Sequence, residues 1–158
     1  MRILIADDNE LIRRGVAEML ANEASLEVCG EACDGMDAFQ KAQELQPDMV
    51  LLDISMPGIS GFESARLLRQ SIPHIKILIM TFGDQLQLLP RALEAGADEC
   101  VDKARLASDL LGAINNLRAA AGEKEDPNAK NASRPRDGLS GSRDKSQEPD
   151  HLAQPFQN

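Results

Sequence analysis

Five side chains stand where short apolar runs give way to polar residues: the acidic pair Asp7-Asp8, then Asp53, the hydroxyl of Thr81 and the ammonium of Lys103. Gathered at one place, three carboxylates would repel one another and raise some of their pKa values unless a cation were present. A hard divalent ion relieves that repulsion. Mg²⁺ suits the set because it takes oxygen ligands, keeps several waters and binds one or two carboxylates beside phosphate oxygens. Asp8 and Asp53 are the ligands this reading favours. The same residue types serve phosphoryl transfer, which needs an in-line nucleophile, neutralisation of developing charge and fixed donors around the equatorial oxygens. Asp53 would be the nucleophile, Lys103 the charge and Thr81 the hydrogen-bond donor.

Whether these residues meet depends on the elements that carry them. Residues Arg2 to Ala6, Leu26 to Cys29, Met49 to Leu52, Ile75 to Met80 and Glu99 to Val101 are short and largely apolar, and predict strands with the central ones buried on both faces. Helical spacing lies between them: Leu11, Ile12, Val16, Met19 and Leu20; Gly35 through Phe39 and Ala42 to Leu45; Phe62, Ala65, Leu68 and Ile72; Ala92, Leu93 and Ala95; and Leu106, Leu110, Ile114 and Leu117. Strand and helix alternate five times. That pattern predicts an α/β fold, a five-stranded parallel sheet with right-handed crossovers and helices on both faces. In the strand order 2-1-3-4-5 common for such sheets, strands 1, 3, 4 and 5 are successive neighbours, and the five side chains converge beyond their carboxyl ends. Asp8 or Asn9 is placed to cap the first helix, Pro47 to close the second and Gly96 to end the fourth. Pro90 interrupts the fourth helix, which is expected to begin there or to kink.

The chain has 158 residues and a formal net charge of -9. Residues 1–122 carry 19 acidic and 11 basic side chains and every apolar run; residues 123–158 carry 7 acidic, 6 basic, four prolines and few apolar groups. One domain over 1–122 and a disordered polar tail over 123–158 are therefore expected. The acidic balance opposes non-specific binding to nucleic acid or an anionic membrane. No apolar run approaches the ~20 residues of a membrane span and the start turns acidic early, so a cytosolic protein is expected. Cys29, Cys33 and Cys100 are odd in number and far from His74 and His151, which argues against a zinc site or disulfide framework; Cys29 and Cys33 read as ordinary small apolar side chains of the kind readily buried. Phe39 and Phe62 read as core.

Taken singly, a capping Asp pair, a solvated Lys and a Met-Pro-Gly turn are all common. Together, Asp7-Asp8, Leu51-Leu-Asp53-Ile-Ser-Met-Pro57 followed by Gly61, Met80-Thr81, Ala95-Gly-Ala97 and Lys103 resemble the response-regulator receiver domain of two-component signalling over residues 1 to about 120. Local wording around Ile5 to Asp8 and Cys29 to Ala32 is similar to receivers that precede a helix-turn-helix domain. The resemblance implies that Asp53 accepts a phosphoryl group from a sensor histidine kinase or phosphotransfer protein. It implies a Mg²⁺ cofactor held by Asp7, Asp8, Asp53 and the backbone carbonyl of Ser55. It also implies that Thr81 turns toward the phosphoryl group, that Lys103 pairs with it, and that the protein is a signalling phosphoacceptor rather than an enzyme.

Two departures bear on output. Cys100 stands where the family typically has a swinging aromatic, and Phe82 is bulky beside Thr81, where it reads as a shield between the phosphoryl group and water. Residues 123–158 offer neither helical periodicity nor basic charge for a DNA-binding domain, so the leading expectation is a stand-alone receiver that signals by protein contact without binding nucleic acid. The face formed by the fourth helix, fifth strand and fifth helix would serve an unknown downstream protein or a homodimer, on a surface unlike the family's standard one. The alternatives are a phosphorylation-independent interaction module and a transcriptional regulator that has lost its DNA-binding domain. A flavin or nucleotide binder fits poorly, because Asp7-Asp8-Asn9-Glu10 repels phosphate in the absence of a metal.

Overall fold

The computed structural model describes residues 1–120 and Gly122. The strands are β1 (Arg2–Ala6), β2 (Glu27–Ala32), β3 (Met49–Asp53), β4 (Lys76–Thr81) and β5 (Glu99–Asp102). The helices are α1 (Glu10–Ala21), α2 (Gly35–Leu45), α3 (Gly61–Ser71), α4 (Gln85–Glu94) and α5 (Leu106–Ala120), with a 3-10 turn at Lys103–Arg105 before the last. All strand pairs are parallel and the order is β2-β1-β3-β4-β5, as the sequence predicts. The tail predicted over 123–158 lies outside the described residues. Among the described residues no helix is long and apolar enough to cross a membrane.

The period of two along each strand sorts the core into two layers. Leu4, Ala6, Val50, Leu52, Ile77 and Ile79 pack beneath α2, α3 and α4, while Ile3, Ile5, Met49, Leu51, Leu78 and Met80 pack beneath α1 and α5. Every residue of β3 is buried, which is why its run shows no polar alternation. Polar caps set where the helices start. The Asn9 side chain accepts from the N–H groups of Leu11 and Ile12, Asp34 does so for α2, and Ser60 and Glu63 form a reciprocal capping box on α3.

Three expectations need correction. The fourth helix does not begin at Pro90, the first of the two expected outcomes: Asp84 caps it and it starts at Gln85, with Pro90 inside. Pro90 has no N–H for the carbonyl of Leu86, but Leu86 is exposed and water can serve that carbonyl, while buried Ala92 and Ala95 hold the helix to the sheet. β2 runs three residues past Cys29, through Gly30, where the register slips opposite Ile3 and Leu4. A Cβ at Gly30 would meet Leu45 Cδ1 at 2.6 Å. Cys33 is exposed beside Asp37 instead of buried; Cys29 is half-buried with its thiol against the Ile3 carbonyl, and Cys100 is buried. Phe62 is buried and Phe39 half-buried, both against the core.

At the amino ends of β4 and β5 a half-buried ion cluster ties the last turn of α3 to the sheet. Arg69 donates to the carbonyls of Gly96 (3.0 Å), Pro73 (2.6 Å) and Ile75 (2.9 Å) and to Asp98 Oδ2 (2.7 Å). The same carboxylate accepts the Ile77 N–H at 2.8 Å, and its Oδ1 faces Lys76 at 3.5 Å. Every member has partners.

Candidate functional site

The carboxyl ends of β1, β3, β4 and β5 carry the predicted residues. Asp7 follows β1, Asp53 ends β3, Thr81 ends β4, and Lys103 opens the turn after β5; all four are buried, whereas Asp8 and Ser55 are exposed. Parallel pairing sets Asp53 opposite Met80 and Thr81 opposite Asp102, the residue before Lys103. The sheet register, rather than loop conformation, thus brings them together.

Ligand oxygens of Asp7, Asp8 and Asp53 all lie within 4.8 Å of one another. Lys103 Nζ stands 2.6 Å from Asp7 Oδ2 and 2.8 Å from Asp53 Oδ1. Three carboxylates therefore face one ammonium. The Lys103 contact to Asp7 is an ion pair without hydrogen-bond alignment, so the buried Oδ2 has no hydrogen-bond donor. A buried carboxylate oxygen left short of donors is costly, and a cation bound by oxygen ligands fits the deficit. Burial pushes the Asp53 carboxyl up from its ordinary value of 3.8 and Asp7 adds to the rise; Lys103 and the Ser55 N–H, 3.1 Å from Asp53 Oδ2, offset it only in part.

The neighbouring chain is shaped for the site. Gly61 N–H donates to the Ile54 carbonyl at 2.9 Å, and a Cβ at Gly61 would stand 2.0 Å from the Asp53 carbonyl oxygen, so only glycine fits. Among the described residues, the Thr81 hydroxyl makes no hydrogen bond to Asp53 or Lys103, so the structure brings it to the edge without engaging it.

Some contributors were not foreseen from the sequence. Arg13 donates to the Asp7 carbonyl at 2.8 Å and to Glu31 at 2.9 Å, fastening α1 across the ends of β1 and β2. Gln85 Nε2 donates to the Cys100 carbonyl at 2.5 Å, linking the start of α4 to β5. Each donates to a backbone carbonyl, a partner that residue type alone does not reveal. Cys100 itself is buried, its thiol pushed up to about 11 by burial and by the carboxylates of Glu99 and Asp102. Phe82, read as a shield over the phosphoryl position, is 70% exposed, with its ring over Lys103 Nζ at 5.3 Å.

Comparison with known proteins agrees with this arrangement. The sequence matches the response regulator receiver domain family over residues 3–115. It is 40% identical over 114 residues to the response regulator GacA of Pseudomonas viridiflava, covering 72% of this chain and 53% of that protein. It is 38% identical over 119 residues to the transcriptional regulatory protein LnrK of Bacillus subtilis, covering 75% and 54%. The crystal structure of a LuxR-family two-component response regulator from an Aurantimonas species superposes with a TM-score of 0.72 at 32% identity, over 75% of this chain and 85% of that one. The chain spans about half the length of the curated relatives it matches. With the sheet order, the acidic strand ends and the family match in agreement, this chain belongs to the response regulator receiver domain family of two-component signalling.

Proposed function

We propose that Asp53 is a phosphoacceptor that takes its phosphoryl group from a sensor histidine kinase or phosphotransfer protein, and that residues 1–122 form the receiver unit beside a polar tail at 123–158. A carboxylate oxygen of Asp53 attacks phosphorus in line, the bond from phosphorus to the donor's imidazole nitrogen breaks, and the electron pair leaves with that nitrogen. The observation that carries this reading is the charge count of the pocket, three carboxylates against one ammonium with a buried Asp7 oxygen lacking a donor. Asp7, Asp8, Asp53 and the carbonyl of Ser55 would hold Mg²⁺, which when bound supplies neutralisation of the phosphoryl oxygens. Lys103 shares the charge on those oxygens, and Thr81 offers a hydroxyl from the adjoining strand end.

The resulting acyl phosphate adds ~1.5 to 2 negative charges at the strand edge, enough to bias the segment after Thr81. That segment leads directly to α4, so we assign output to protein contact through α4, β5 and α5, in the cytoplasm, with a downstream protein as partner. A second reading, a receiver-like interaction module indifferent to phosphorylation, draws on Cys100, which is buried where it offers no ring to swing.

Intact mass after incubation with a small-molecule phosphodonor separates the two readings. The phosphoacceptor gains one phosphoryl group in Mg²⁺, and none in EDTA or as Asp53→Asn. A folded chain that neither binds Mg²⁺ nor gains mass would favour the constitutive module.

A further inference from the structure

Lys103 is the one cation facing the carboxylates of the pocket among the described residues, and only 4% of its side chain is exposed. Asp7 Oδ2 lies at 2.6 Å and Asp53 Oδ1 at 2.8 Å as ion pairs, and the face of Phe82 stands beside them, with its centroid 5.3 Å from Nζ. That distance is within the range at which the negative face of an aromatic ring attracts a cation. The contact is set by the sheet: Phe82 follows Thr81 and Lys103 follows Asp102, and those two are paired across β4 and β5. Both side chains therefore leave adjacent strand ends at the same level. Phe82 is otherwise left 70% exposed, so core packing does not account for its place.

Resting on the reading of Asp53 as phosphoacceptor, we propose that Phe82 is a positioning residue for phosphoryl transfer, holding the Lys103 ammonium over the acidic pocket through its ring face. A lysine head is a compact charge on a flexible four-carbon stem, and charge stabilisation in a transition state needs that charge fixed beforehand. A ring suits the task better than another carboxylate or carbonyl. It attracts the ammonium without an oxygen that would compete with phosphoryl oxygens for its protons. A leucine at position 82 would keep apolar cover and remove the quadrupole, whereas a tyrosine keeps the ring.

Two readouts on the full chain test this. By NMR without phosphodonor, the Lys103 ε-methylene protons are expected at ring-shifted, upfield positions in the native protein and in Phe82→Tyr, and at ordinary positions in Phe82→Leu. With a small-molecule phosphodonor and Mg²⁺, Phe82→Leu is expected to lower the maximal rate of adduct formation about fivefold, with an unchanged half-saturating donor concentration, and Phe82→Tyr to restore it. Unshifted lysine protons in the native protein, equal rates for Phe and Leu, or equal losses for Leu and Tyr would each overturn the inference while leaving Asp53 as acceptor. Native protein that shows the ring shift but gains no phosphoryl group on Asp53 would overturn the acceptor reading and the positioning role with it.

Discussion

The amino and carboxyl edges of the sheet hold similar ionic ingredients in opposite conditions. At the amino ends, Asp98 has a guanidinium, an ammonium and a backbone N–H around one carboxylate, and Arg69 distributes its remaining donors over three carbonyls. At the carboxyl edge, Asp7 and Asp53 share Lys103 with Asp8 beside them, and a buried oxygen lacks a donor. The first cluster is satisfied and has nothing left to offer a ligand. The second is short of positive charge. A saturated ion cluster is thus read as structural and an unsaturated one as a site.

The sharpest way to break the comparison is at the satisfied end. Asp98→Ala removes the acceptor for the Ile77 N–H and the counter-charge of the Arg69 guanidinium, which keeps only its carbonyl partners, so it should lower the unfolding free energy by about 2 to 3 kcal/mol, the exposure of the pair keeping it below the figure for a fully buried one. Urea denaturation measures this, and Mg²⁺ affinity should be unchanged in the folded variant. An Asp98→Ala protein as stable as the parent would show that the cluster is not structural.

Next in size is Gly61→Ala. Its methyl group must displace the Asp53 carbonyl, which it would meet at 2.0 Å, so a loss of about 2 kcal/mol is expected. Unlike Asp98→Ala, this change moves the pocket, and Mg²⁺ affinity measured by calorimetric titration should fall with stability.

The smallest effect runs in the opposite direction. Because burial holds the folded Asp53 pKa above 3.8, ionised Asp53 opposes folding: the penalty is absent below the unfolded value, appears as pH rises past about 3.8 and is complete above the folded value. Asp53→Asn should therefore be somewhat more stable than the parent in EDTA at neutral pH. Thermal unfolding across pH should show the advantage vanish as the parent's Asp53 becomes protonated. An advantage independent of pH would place its cause elsewhere.

Much of this contrast was legible in the chain. Short apolar runs, four of the five closed by Asp, Thr or Asp-Lys, pointed to both the strands and the edge on which chemistry would gather, because parallel strands all end on one side. The satisfied cluster left no such trace. Asp98 and Arg69 are 29 positions apart, and most of Arg69's partners are carbonyls, which every residue has. Pro90 misled for a related reason: its intrinsic penalty was visible, but not the Asp84 cap and buried Ala92 that keep the helix in place. For Phe82 the residue type was informative and its direction was not, since only the pairing of Thr81 with Asp102 turns the ring toward Lys103.

Thermal unfolding of the parent, Asp8→Asn and Asp98→Asn, each titrated with Mg²⁺ and then with excess EDTA, tests the contrast most directly. At 100 times its dissociation constant, an ion bound only by the folded state adds about 2.7 kcal/mol. The account predicts that Mg²⁺ raises the Tm of the parent and of Asp98→Asn by similar amounts, that Asp8→Asn loses most of the gain, and that EDTA reverses it. A Tm in the parent indifferent to Mg²⁺, or a gain lost with Asp98 and kept without Asp8, would contradict it.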